Sequence, residues 1–253
     1  MRRYKLYKLL EEMADKYETA DFLKDDPSQF MHRYTAVEDI EVVGLIAASL
    51  SLGNRKQILL KIESICSLMH GQPTTWIVQK EYEKYFSESS AKFYRFFSYA
   101  QLRSFFGAIR SIILQYHSIG NCLESLYNKG VNPVEGLIGC FKGKNVGQLI
   151  PKDSSSACKR INMYLRWMVR DNSPVDMGVW KWYDKSNLII LLDTHVMQES
   201  FRLGIVKKKG DTMSKAKEIT DVMKKIWKND PCRCDYALFG IGIDKNNDVK
   251  TYQ

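Results

Sequence analysis

Leu191–Gly204 reads LLDTHVMQESFRLG and follows directly on an apolar run, LIILL at 188–192, that ends in an aspartate and a histidine. Asp193 suits a helix N-cap, because its carboxylate can accept from the free backbone N–H groups of the next turn. Glu199 lies too far along to complete a capping box, so the cap stands alone. An apolar run ending in such a cap marks a helix start between two core segments.

Working outward from this point, helical patterns recur on both sides. Downstream, Met213–Trp227 is amphipathic and basic, and Asp235–Gly242 reads as a last buried helix ended by glycine. Upstream, the stretch from Lys159 to Met168 has a core face of Ile161, Tyr164, Leu165 and Met168. Lys159, Asn162, Arg166 and Arg170 fall along another side, which predicts an exposed basic stripe. Asn172-Ser-Pro174 closes that helix, and a loop-like segment with Trp180 and Trp182 leads on to LIILL.

Nearer the start, MRRYKLYKLLEEMADKYE is an amphipathic helix, and Thr35-Ala-Val-Glu38 forms a capping box ahead of a buried helix that runs to Gly53. Asn54 caps the next helix, which breaks at Gly71-Gln-Pro73. Aromatics crowd residues 82–117 at helical spacing, the pattern of a core and not of a base-stacking platform. Short helices follow at about 121–128 and 133–141, and Gly139, Gly143 and Gly147 loosen the chain before Pro151. There are no alternating strand pairs, no repeat and no low-complexity tract. The predicted class is all-α: one helical unit over 1–253, built of two subdomains that meet near 144–152.

The 38 Lys+Arg outnumber the 29 Asp+Glu, a net charge of +9 that favours a polyanionic partner. Six scattered cysteines in a chain of 253 residues, 45% apolar, read as reduced intracellular thiols. Cys232-Arg-Cys234 lacks the second pair or nearby histidine of a structural zinc site, so no metal is expected. The basic start turns amphipathic instead of apolar, unlike a signal peptide. The longest uncharged run, Val42–Asn54, is far short of the roughly 20 residues that span a bilayer. A cytoplasmic protein without membrane association is expected.

Two segments together resemble a known pair. The helix-hairpin-helix DNA glycosylases, among them endonuclease III and the 8-oxoguanine glycosylases, carry L-P-G-V-G-x-K-T-A-N-V, a loop, and V-D-T-H-V-x-R-V-x-x-R-L-G. Here Lys159, Asn162, Met163 and Leu165 match the first block, and Asp193, Thr194, His195, Val196, Arg202, Leu203 and Gly204 match the second. Leu45-Ile-Ala-Ala-Ser49 stands where the superfamily has an L-L-S-A-Q-type helix end, and the closing Asp235–Gly242 helix matches too. SACKRINMYLRWMVR, LLDTHV and DYALFGIG are more similar still to a poorly characterised bacterial family of this superfamily.

The resemblance implies a glycosylase-like fold, with a hairpin-like element and the catalytic aspartate within 152–204. It implies that Asp193 stabilises the sugar cation formed when an N-glycosidic bond breaks, and that Lys159 attacks C1′ to form an imine that permits β-elimination. The hairpin glycines are replaced by Lys152-Asp-Ser-Ser-Ser156, so phosphate contact falls to the helix start, to Ser154, Ser155 and Ser156, and to Arg160, Arg166 and Ser49. The four-cysteine cluster motif of endonuclease III is missing after residue 204, so no iron–sulfur cluster or other cofactor is expected. His195 has no proton-transfer role under this resemblance. The implied partner is damaged double-stranded DNA, the implied substrate an oxidised purine such as 8-oxoguanine, and the expected state a monomer at the nucleoid. Two other readings stand beside it: a non-catalytic DNA-binding protein of the same fold, and an all-α protein-interaction domain.

Overall fold

The structure, a computed structural model, describes residues 3–244. These residues are mostly helical, with one two-stranded ribbon. Residues 24–154 form one compact unit, and the described residues up to 23 and from 155 onward form another. Helix α1 (Arg3–Tyr17) therefore belongs with the C-terminal part of the chain, an association nothing in the local sequence announces.

In the unit of residues 24–154, α2 (Val37–Leu50) is the central element. Every residue from Ile40 to Leu50 is buried, the condition of a helix that is apolar nearly all round. Its N-cap is Ala36 with no side-chain cap, so the expected Thr35 capping box does not form. Glu38 and Asp39 in the first turn provide the negative charge that the helix start favours. Asn54 caps α3 (Arg55–Leu68) as expected, its Oδ1 accepting from Gln57 N at 3.3 Å. Helix α4 (Pro73–Val78) follows. The aromatic stretch then departs from an all-helical reading: Lys92–Tyr94 (β1) and Phe97–Ser98 (β2) form a small antiparallel ribbon before α5 (Tyr99–Tyr116). Tyr82, Phe86 and Phe106 lie in the core, as their spacing predicted, and meet Trp76 edge-on. Helices α6 (Ile119–Tyr127) and α7 (Pro133–Cys140) complete the unit. Buried Glu41 of α2 accepts from Ile119 N at 2.8 Å and Gly120 N at 3.1 Å, joining the central helix to the start of α6.

In the second unit, α8 (Lys159–Val169), α9 (Thr194–Arg202), α10 (Met213–Met223) and α11 (Cys234–Ile243) assemble with α1. Leu10 and Ala14 of α1 share a core with Ile190, Leu192, Val196, Ile219, Leu238 and Ile241. Helix α1 lies against α11, closely enough that a Cβ at Gly240 would meet the Tyr17 ring at 2.2 Å. The chain ahead of α8 holds a three-residue 3-10 turn at Gly147–Leu149 and the loop to Cys158. Between α8 and α9 it is non-helical apart from a short turn at Lys185–Asn187.

LIILL, the run that opens onto Asp193, is neither helix nor strand. Leu188, Ile190, Leu191 and Leu192 are buried on extended backbone whose amides need partners inside the core. Two side chains provide them: Ile190 N donates to Thr220 Oγ1 at 3.1 Å, and Leu191 N to Asp235 Oδ1 at 3.2 Å.

Candidate active site at the starts of two helices

Asp193 caps α9 as the sequence predicts, its Oδ1 accepting from Val196 N at 2.8 Å. The other oxygen, Oδ2, stands 3.3 Å from Nζ of Lys159, the first residue of α8. One oxygen thus locks the carboxylate and the other is left to face the amine. Both side chains stay in contact with solvent, Lys159 at 41% and Asp193 at 29% exposure. The backbone turns into α8 through Cys158 at φ 46°, in the left-handed region, and no side chain caps this helix.

The pair borders a cleft of about 620 Å3, whose walls include Leu192, Thr194, Met197, Gln198, Lys209 and Asp211. Apolar Leu192 and Met197 back it, while its rim carries charge. The rim lysine continues an exposed run, Lys207-Lys208-Lys209, in the loop between α9 and α10. The sequence reading passed over this run, although three successive lysines before a glycine were its visible signal. Trp180, Trp182 and Phe239 are not among the cleft's walls. Trp180 and Trp182 pack in a row with Tyr164 and Tyr183, and Phe239 meets Tyr17 and Phe22 edge-on. His195 is exposed on α9.

The serine run serves the backbone. Ser156 forms an isolated antiparallel bridge with Thr212, Ala157 N donates to Asp211 O at 2.9 Å, and Met213 N to Ser155 O at 3.5 Å. Ser156 Oγ also accepts from Cys158 N at 3.4 Å. Ser155 and Ser156 remain exposed beside the cleft loop, whereas Ser154 is the last residue of the 24–154 unit, half-buried, with Oγ donating to Glu135 Oε1 at 3.4 Å.

The expected basic stripe on α8 is overturned. Asn162, Arg166 and Arg170 are all buried, Arg166 at 4% exposure, so they present nothing to a phosphate. Arg166 pairs with Asp176 at 3.2 Å and with Asp235 at 3.4 Å. Arg170 holds Asp230 through two bonds of 2.8 Å, Asp176 at 2.5 Å and Glu18 at 2.8 Å, and both guanidinium groups lie over the Tyr236 ring. Burial works against each charge, and the surrounding acids outweigh it, so both guanidinium pKa values rise. Burial also pushes the Asp235 carboxyl up to about 7 despite Arg166 beside it. A basic side chain at helical spacing cannot distinguish solvent from a buried acid, and here Glu18 just after α1, Asp176, Asp230 and Asp235 of α11 meet these guanidinium groups.

Arg160 is half-buried, and burial lowers its guanidinium to about 10. Ser49 is withdrawn, at 2% exposure within α2 of the other unit. Cys232 and Cys234 are fully buried, and burial drives both thiols well above their ordinary range.

The buried network reaches the candidate site through one link. Arg166 lies two turns along α8 from Lys159, and it holds Asp235, whose other oxygen holds Leu191 N two residues before Asp193. The segment that leads to Asp193 is thereby joined to the buried ionic cluster.

No curated protein and no solved structure matches this chain. A family model described as "Protein of unknown function (DUF2400)" matches residues 26–244, a span that takes in Lys159, Asp193 and the buried cluster behind them. By that match, which runs over most of its length, the chain belongs to the DUF2400 family.

Proposed function

We propose that this protein is a DNA base-excision glycosylase with AP-lyase activity. The observation that carries the reading is the Lys159 Nζ to Asp193 Oδ2 approach of 3.3 Å at the mouth of a cleft of about 620 Å3. A cavity of that size suits a single flipped nucleotide, since small-ligand pockets run to roughly 300–1,000 Å3. The carboxylate, locked by its cap bond, stabilises the positive charge that develops on the sugar. A lysine attacks only as the neutral amine, so the ammonium gives up its proton to solvent before attack, and the departing base takes up a proton as it leaves. The amine closes on C1′ as the glycosidic bond breaks, the C1′–O4′ ring bond then opens with O4′ taking up a proton to leave the imine, and the imine permits strand scission by β-elimination. Lys209 at the cleft and the exposed Lys207 and Lys208 that precede it supply backbone attraction that Arg166 and Ser49 do not.

The reading brings with it a glycosylase-like arrangement of the helices with a hairpin-like element ahead of α8. It brings damaged double-stranded DNA as partner, an oxidised purine as substrate, no cofactor, and a monomer acting in the cytoplasm at the nucleoid. Its test is a panel of duplexes bearing an abasic site or single lesions, incubated with protein and borohydride. The parent chain becomes covalently trapped on at least one duplex, and Lys159→Gln binds that duplex but is not trapped. Equal trapping of the variant assigns the chemistry to another amine. Binding by both proteins with trapping by neither leaves a non-catalytic DNA-binding protein.

A further inference from the structure

A second cleft, of about 330 Å3, lies within the unit of residues 24–154 and carries chemistry that the glycosylase reading does not use. Cys122 of α6 and Cys140 of α7 both line it, with Ile112, Gln115, Leu126 and Glu135. The two sulfurs stand 3.6 Å apart. Close packing of the two helices brings them there: a Cβ at Gly136 would meet Leu123 at 3.3 Å and Leu126 at 3.4 Å, so glycine lets α7 approach α6. At Gly139, beside Cys140, an added Cβ would meet nothing within 4 Å, so the wall is open there.

The thiols are unequal. Cys122 is buried and Cys140 is partly exposed. The hydrogen bond between them lowers the Cys140 thiol and, with burial, raises that of Cys122, so the accessible sulfur is the one favoured to lose its proton first. Elsewhere burial pushes Cys66 up to about 12 and Cys232 and Cys234 well above their ordinary range. Buried neutral thiols of that kind are inert.

We propose that Cys140 and Cys122 are a reversible dithiol–disulfide site that takes a hydroperoxide as oxidant, Cys140 attacking and Cys122 resolving. The Cys140 sulfur attacks one peroxide oxygen, the O–O bond breaks, and the other oxygen leaves and takes up a proton. Cys140 is then a sulfenic acid. The Cys122 sulfur attacks it, the S–O bond breaks, and the hydroxyl departs as water with the Cys122 proton. Two thiols are oxidised by two electrons and one peroxide is reduced. To form the bond the sulfurs close from 3.6 Å to the roughly 2.05 Å of a disulfide. The bond ties α6 to α7 and constrains the unfolded chain, so the oxidised protein melts at a higher temperature.

The experiment treats the full chain, folded and reduced, with stoichiometric hydrogen peroxide, blocks free thiols and maps peptides without reduction. The expected product is a Cys122–Cys140 cross-link lighter by two hydrogens, reversed by dithiothreitol, with a raised Tm. Cys122→Ser accumulates a dimedone-reactive sulfenic acid at Cys140, whereas Cys140→Ser leaves Cys122 unmodified at the same dose. Recovery of both thiols free from treated parent protein overturns the proposal, as does Cys122 oxidising in Cys140→Ser as fast as in the parent. Should either variant fail to fold, the map of the parent protein decides alone. No arm of this test involves DNA.

Discussion

Asp193 divides its contacts between two oxygens, one capping α9 and the other facing Lys159. Asparagine in its place keeps a carbonyl oxygen for Val196 N and so keeps the cap, but it removes the charge that faces Lys159. Asp193→Asn is therefore expected to bind lesion duplex within a few-fold of the parent and to lose about 100- to 1,000-fold in base excision. Single-turnover excision, duplex titration and circular dichroism together check this, and equal losses in binding and excision would reduce Asp193 to a cap. Asp235 gives a second prediction. Its folded pKa of about 7 lies above that of an exposed aspartate, so the folded state holds its proton where the unfolded chain has released it. The stability it contributes is complete below about pH 4 and is lost as pH rises through about 7, at up to about 1.4 kcal/mol per pH unit. Asp235→Asn retains an acceptor for Leu191 N and is expected to flatten the parent's stability over that window, as read by urea melts at several pH values. Parallel curves for the two proteins would contradict the assignment.

At the scale of the element, the same physics governs α8 and α2. Each carries charge into the interior and is tolerated because partners from distant segments receive it. In α2 the charge is Glu41, and its partners are the first two amides of α6. Glu41→Gln retains the shape but gives up the charge at a helix start and can turn an amide donor toward donors, so a loss of about 1–3 kcal/mol in the 24–154 unit is expected. Thermal unfolding measures it, and a change within a few tenths of a kcal/mol would show that the contact contributes little. In α8 the apolar face was legible, since Ile161, Tyr164, Leu165 and Met168 are all buried. The opposite face was misread because helical period locates a side without saying what lies beyond it. The caps at Asn54 and Asp193 were legible because each partner lies within one turn, whereas Thr35 failed because the chain enters α2 one residue later than the box requires.

Over the whole molecule, the net charge of +9 is unevenly deployed. Arg166 and Arg170 are spent on internal acids, while Lys207, Lys208 and Lys209 remain exposed by the cleft. Duplex affinity is therefore expected to fall steeply between low and physiological salt. Replacing the three lysines with alanine should lower the slope of log affinity on log salt by about 0.9 for each that meets a phosphate. Titrations at several salt concentrations test both statements. An affinity flat with salt would reject DNA as the partner, and an unchanged slope in the variant would move the contact elsewhere.

What the sequence alone determined was whatever depends on neighbours along the chain. Helical class followed from period, the positions of most helices from their breaks, and the start of α9 from Asp193, whereas Lys159 and Asp193 entered as a candidate pair only through the resemblance of two short blocks to the glycosylases. Tertiary structure decided the rest: that Lys159 and Asp193 come within 3.3 Å, that α1 joins the C-terminal unit, that Arg166 is an interior ion, and that Cys122 faces Cys140. The reason is physical. Capping and periodicity are satisfied within a turn or two, but a buried charge, an extended apolar run or a thiol pair is settled by partners tens or hundreds of residues away, and only the folded chain brings them together.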